Sequence, residues 1–121
     1  INMGNGWETK RRRGKGFDWV IIKLANIGII NDIVIQTHHF KGNYPATFSL
    51  QGSLLSKNSN VKKLINNSAK WKTLISNKKL KPHDNLKISK LNLNSEKINY
   101  VKLNIFPDGG ISRLRIFGKI T

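Results

Sequence analysis

The side chains best able to do chemistry in this chain are few. Its acids are Glu8, Asp18, Asp32, Asp84, Glu96 and Asp108, and its arginines are Arg11, Arg12, Arg13, Arg113 and Arg115. Every arginine falls in one of two short stretches near opposite ends of the chain, and each stretch also holds an acid, Glu8 in the first and Asp108 in the second. All other cationic positions are lysine. Lysine suffices as a point charge, whereas the planar guanidinium fork grips a carboxylate or a ureido oxygen through parallel hydrogen bonds. Arg113 and Arg115 lie two apart, so in a strand both forks leave the same face. Beside them the turn Pro107-Asp108-Gly109-Gly110 presents a carboxylate. The combination is a candidate anion site with Asp108 or Glu8 placed to carry a proton.

Other chemistries lack support. No P-loop, HExxH, GxSxG or CxxC pattern occurs, and there is no cysteine. His38 and His39 are adjacent, and adjacent strand residues point to opposite faces, so the two cannot share a metal centre without a bulge. Asp32 and Asp84 read as turn residues and Glu96 as solvent-facing in a polar segment.

The elements that must position these groups follow from hydrophobic alternation. Val101, Leu103 and Ile105 lead into the Pro107–Gly110 turn, and Ile111, Leu114 and Ile116 lead out, which predicts a hairpin over Val101–Gly118. Residues 1–16 form a basic, glycine-rich leader loop anchored by Trp7. Asp18–Leu24 is apolar at nearly every position and predicts a central strand covered on both faces. Ala25–Gly28 turns the chain, Ile29–Phe40 resumes as a strand, and Ala46–Gly52 adds another. Residues 53–70 form a variable connection with a short helical segment, in which Val61, Leu64 and Ile65 make one amphipathic turn. Trp71–Ile75 and Leu86–Leu91 complete about seven short strands. The predicted class is all-β, an antiparallel jelly-roll β-sandwich.

A chain of 121 residues is one domain. It begins with Ile1, which suggests a fragment or a processed product. It has neither a run of about 18 apolar residues nor a signal-like segment, and is read as cytoplasmic, with no membrane partner. The net charge of +16 raises nucleic acid as a partner. However, the lysines are scattered and accompany abundant Asn and Ile, which fits a solvated cationic surface better, so nucleic acid is set aside despite the charge. Physical reading alone stops at an anion-binding β-sandwich.

Four stretches carry a resemblance: MGNGWETKRRR at Met3–Arg13, DWVIIKL at Asp18–Leu24, HFKGNYP at His39–Pro45 and VKLNIFPDGGISRLRIFG at Val101–Gly118. Together they resemble the allantoicase family, over most of the chain and least between Ser53 and Asn99. The chain departs from the family pattern at Asn5 and Gln36, where aspartate is usual, and at Lys10, where arginine is usual. The resemblance implies a galactose-binding-like jelly roll, one allantoicase repeat over residues 1–121 and half of a two-repeat enzyme, with a second repeat or a homo-oligomer as partner. It implies hydrolysis of allantoate to ureidoglycolate and urea. For that reaction Glu8, Asp108 and His39 are the candidate catalytic residues. Arg11, Arg12, Asn43, Asn104, Arg113 and Arg115 are the candidate substrate-binding residues. No cofactor is required by the sequence, and His39 with carboxylates leaves room for a divalent metal. Two rivals remain. A non-catalytic module would bind a small anion, or support a partner repeat, without releasing urea. A nucleic-acid binder would lose affinity steeply with salt.

Overall fold

A computed structural model describes residues 7–8, 18–37, 47–56, 60–81, 85–89, 96–106, 110–111 and 113–121. Its strands are β1 (Trp7–Glu8), β2 (Asp18–Gln36), β3 (Thr47–Ser53), β4 (Lys72–Lys79), β5 (Asn85–Ile88), β6 (Ile98–Phe106), β7 (Gly110–Ile111) and β8 (Arg113–Ile120). Helix α1 (Val61–Asn67) and a 3-10 turn at Ser68–Lys70 lie between β3 and β4. Asn60 starts α1 by accepting a hydrogen bond from the Lys62 amide at 2.8 Å. All strand pairs are antiparallel, as the all-β jelly-roll assignment requires.

The long strand β2 organises the rest. Its first part, Asp18–Lys23, pairs with β6, while Gly28–Gln36 pairs with β8 and Ile33–Gln36 also pairs with β5. Two irregularities break it. Between Lys23 and Gly28, five steps along β2 answer two steps along β6, from Tyr100 to Ile98. Between Ile30 and Asp32, two steps answer the single step from Gly118 to Phe117. Extra residues of this kind bend a strand and increase its twist. A straight strand of this length would measure about 60 Å. Yet β6 reaches the Asp18 end and β8 starts at the Gln36 end, and the segment from Phe106 to Arg113 spans no more than about 25 Å. Strand β2 therefore doubles back, placing its halves in two layers: β4-β3-β6 with its first half, and β8 and β5 with its second.

The core lies between the layers. Ile33, Ile35, Leu114 and Ile116 from one layer meet Phe48, Leu50, Val101 and Leu103 from the other, all fully buried. Each fully buried aliphatic side chain contributes about 1.5–3 kcal/mol.

Several expectations are corrected. Asp18–Leu24 is covered on one side only, and Trp19 is 39% exposed, because only alternate residues face the core. Ala25–Gly28 is a bend within one strand and not a turn between two. Asp32 sits in β2 beside the second irregularity, half-buried. Among the described residues β6 and β8 do not pair as the Val101–Gly118 hairpin requires: β6 pairs with β2 and β3, β8 pairs with β2, and β7 pairs with β1. The Gly-Gly turn suited a hairpin, but the inward faces of β6 and β8 are needed in different layers, so the chain crosses between them. The fifth strand ends at Ile88, and Leu91 lies outside the described residues. The expectations for His38 and His39 lie outside the described residues.

Two glycines, Gly28 in β2 and Gly118 in β8, sit where these strands pair. A Cβ on Gly118 would lie 2.1 Å from the Ile29 carbonyl oxygen, and one on Gly28 would lie 2.6 Å from that of Lys119. Both obstacles are backbone, which can yield only if the ladder shifts. Gly118→Ala is accordingly expected to destabilise the domain by about 1–3 kcal/mol, read as a lower thermal midpoint by circular dichroism, through overpacking.

Candidate functional site

The strand ends next to the chemically interesting segments gather at one end of the sandwich. Asp18 pairs with Ile105, Thr47 with both Phe106 and Lys79, and Gln36 with both Arg113 and Asn85. The Thr37 hydroxyl donates to the Lys81 carbonyl at 2.7 Å, tying two more of these chain ends together. At the crossing between layers, β1 pairs with β7, with Trp7 opposite Ile111 and Glu8 opposite Gly110. Trp7–Glu8 of the leader is thus fixed against Gly110–Ile111. The expectations for Arg11, Arg12, His39, Asn43 and Asp108 lie outside the described residues, as does the side chain of Glu8.

Arg113 and Arg115 occupy β8 positions turned away from the core, alternating with the fully buried Leu114 and Ile116. Cross-strand pairing makes two rows on that outward face, Arg113–Gln36–Asn85 and Arg115–Val34–Lys87. Arg113 is exposed, while Arg115 is half-buried and its Nε is buried without a hydrogen-bond partner. A neighbouring hollow of about 450 Å³ is bordered by Asp32, Val34, Lys87 and Phe117. The surface suits an anion, with fork donors already stripped of part of their water.

Asn104 is elsewhere, on the outward face of β6 in the other layer. It is 4% exposed and donates to Ser49 Oγ at 3.2 Å and to Gln51 Oε1 at 3.0 Å. Gln51 in turn donates to the carbonyls of Ala69 and Trp71 at 3.2 and 3.1 Å. Next to it Lys102, also buried, donates to Ser68 Oγ at 3.0 Å and stands over the Trp19 ring, 4.9 Å from its centroid. Burial pushes the Lys102 ammonium below the ordinary lysine value of 10.5. Lys102, Gln51 and Ser68 were not foreseen from the sequence. The available signal was a lysine and an asparagine alternating with Val101, Leu103 and Ile105, a polar face that a purely solvated strand also shows. Among the described residues, no three His, Asp or Glu side chains are grouped to hold a metal ion.

The comparisons with known proteins agree with one another. The allantoicase-repeat family profile matches residues 1–121. A protein of Pseudomonas fluorescens (strain Pf0-1) named "Probable allantoicase" is 45% identical over 99% of this chain and 36% of its own length. One of Pseudomonas aeruginosa (strain LESB58), also so named, is 46% identical over 98% and 36%. The chain belongs to the allantoicase family. It spans about a third of the length of these allantoicase relatives. The crystal structure of allantoicase from Saccharomyces cerevisiae superposes with a TM-score of 0.74 at 33% identity, over 93% of this chain and 31% of that one. A second allantoicase structure gives 0.73 at 34% identity.

For this allantoicase repeat, the Lys102 environment predicts a pH signature. The unfolded chain holds the Lys102 proton more tightly than the folded one does. Lys102 therefore makes stability rise with pH across the window from its lowered folded pKa up to 10.5. In Lys102→Met this contribution is removed, so denaturant unfolding from pH 7 to 10.5 is expected to show the variant losing stability relative to the parent as pH rises. A pH-independent difference would place Lys102 in a fully hydrated setting.

Proposed function

We propose that this repeat acts in the hydrolysis of allantoate to ureidoglycolate and urea. The full-length match to the allantoicase repeat is the observation that carries the reading. In that reaction the bond from the central carbon to one ureido nitrogen breaks. Water supplies the oxygen that replaces it, and the departing urea takes up a proton. The substrate's carboxylate is an anion that an arginine fork fits. Arg113 or Arg115, with Arg11 or Arg12 of the leader, holds that carboxylate. Glu8 or Asp108 moves the proton. His39 and Asn43 hydrogen-bond the ureido groups and fix the reacting carbon. Antiparallel pairing of Glu8 with Gly110, two residues beyond Asp108, supports grouping the leader with the crossing segment. Asn104 was expected among the ureido contacts, but it lies on the other layer's outward face and is left out of this constellation. The residues require no cofactor, and His39 with carboxylates remains the place for a divalent metal. The enzyme is cytoplasmic and works with a second repeat or a further copy of itself. Among the described residues no helix is long and apolar enough to cross a membrane.

A second reading has its own support. Asn5 and Gln36 both stand where the family pattern has aspartate, and Gln36 lies directly opposite Arg113. Two missing carboxylates favour a repeat that binds or braces while a partner repeat does the chemistry.

Urea release from allantoate separates the two. If the repeat is catalytic, the chain alone releases urea, Arg113→Lys raises KM with kcat nearly intact, and Glu8→Gln lowers kcat by about 10² or more. If it is a supporting repeat, the chain alone releases none, and the double substitution Asn5→Asp with Gln36→Asp gains measurable release.

A further inference from the structure

Six large hydrophobic side chains stand exposed among the described residues, and five of them gather at the end of the sandwich away from Arg113. The sixth is Trp19, which covers Lys102. Strand pairing fixes the location of the five. Ser53, where β3 ends, pairs with Tyr100, and Lys72, where β4 begins, pairs with Gly52, so the connection between them, with α1, closes that end of one layer. Gly28, past the bend of β2, pairs with both Ile98 and Ile120, and the Thr121 amide donates to the Ile27 carbonyl at 3.0 Å, which brings the other layer to the same end. Leu54, Val61 and Ile65 therefore share an end with Ile27 and Ile120. Val61 and Ile65 are about one helical turn apart and make a single stripe on α1. The side of α1 that carries Lys63 and Leu64 borders the hollow beside Leu55 and Trp71, which leaves the stripe facing outward, with Val61 69% exposed.

Charge at this end is one-sided. Lys23, Lys62, Lys63, Lys70, Lys97 and Lys119 are all exposed there. The acid described among them, Glu96, is held by Lys72 at 2.6 Å. These two facts separate the possible occupants. A second copy would set lysines against lysines. Nucleic acid would use the charges and leave the aliphatic side chains in water. A protein partner is typically gripped by aromatic and arginine anchors, with lysine depleted, and no arginine or exposed aromatic residue is described at this end. A bilayer surface with anionic headgroups uses both features. Lysines serve as point charges toward a diffuse negative plane, and aliphatic side chains enter between headgroups without directional partners.

We propose that this end of the repeat rests on an anionic bilayer surface, with Leu54, Val61 and Ile65 entering the headgroup layer and Lys62 and Lys63 beside them on the lipid charges. The expectation of no membrane partner rested on the lack of a long apolar run. That lack bears on crossing a bilayer and not on lying against one. Arg113 begins β8 at the opposite end, so the surface proposed for allantoate stays clear of lipid. The inference does not rest on that reading.

Co-sedimentation of the chain with vesicles tests it, comparing phosphatidylcholine alone with phosphatidylcholine containing about one-third phosphatidylserine. Affinity for the anionic vesicles is expected to exceed that for neutral ones by about tenfold or more and to fall with salt. A chain of net charge +16 is drawn to any anionic surface, so the deciding readouts compare substitutions. Val61→Ser with Ile65→Ser leaves the charge unchanged and is expected to weaken binding to anionic vesicles about tenfold. Lys62→Glu with Lys63→Glu is expected to weaken it by about tenfold or more. Lys78→Glu with Lys79→Glu, the same change of charge near the other end, is expected to cost no more than about twofold. All the substituted side chains are exposed, and circular dichroism checks that each variant is folded. Equal loss from the two lysine pairs, or full binding by the Val61→Ser, Ile65→Ser chain, would overturn the proposal and leave only nonspecific charge attraction. Binding to polyglutamate or RNA as tight as to the vesicles would overturn it in favour of a soluble polyanion. Urea release from allantoate is measured without vesicles, so its absence counts only against the catalytic reading.

Discussion

The structure depends on one strand being made to serve two layers. Strand β2 gives its first half to β6 and its second to β8 and β5, and it can do so only because extra residues break its register between Lys23 and Gly28 and again between Ile30 and Asp32. The added residues bend the strand, and Gly28 and Gly118 let β2 and β8 approach where a Cβ would meet backbone oxygen. Everything else is arranged around that fold-over. The core fills the space it encloses, and the segment between β6 and β8 must cross from one layer to the other at the end where β2 starts and finishes.

That crossing explains why the two ends of the chain meet. Residues from the leader and from the segment after β6 are joined by two short strands, Trp7–Glu8 and Gly110–Ile111, which among the described residues extend neither main layer and pair only with each other. Gly110 and Ile111, at the far end of a stretch that reads as a tight reversal, pair instead with Trp7 and Glu8 of the leader. The arginines of β8 follow directly on this link, on the outward face and beside the second half of β2.

The two outward faces have acquired different characters. On the β8 side, guanidinium groups stand in rows with Gln36, Val34 and Lys87 and are partly open to solvent. On the β6 side, an ammonium is drawn beneath an indole and a serine, and an asparagine is held rigid by a glutamine that is itself pinned to the backbone of the segment following α1. Such a network fixes side-chain directions more firmly than exposed lysines could, since its members hold one another in place.

Much of this was legible in the chain itself. Alternation of Ile33 with Ile35 and of Val101, Leu103 and Ile105 determined that these residues face a core, and a lack of long helical periodicity with frequent Gly, Pro and Asn determined an antiparallel all-β fold. The short helix after Ser53 was also evident, because Val61, Leu64 and Ile65 carry a helical spacing. The segregation of arginine from lysine marked the Arg113–Arg115 face, and the motifs from Met3 to Gly118 marked the family. Tertiary structure alone decided that Asp18–Gln36 is one bent strand, that β6 and β8 take different partners, and that Asn104 belongs with Lys102 and Gln51 and not with the arginines. The reason is physical: alternation reports which side of a strand is apolar, and that is a local property. Which strands become neighbours depends on where unpaired residues bend the ladder and on which inward faces must close the same core, and those are settled only between segments far apart in the chain.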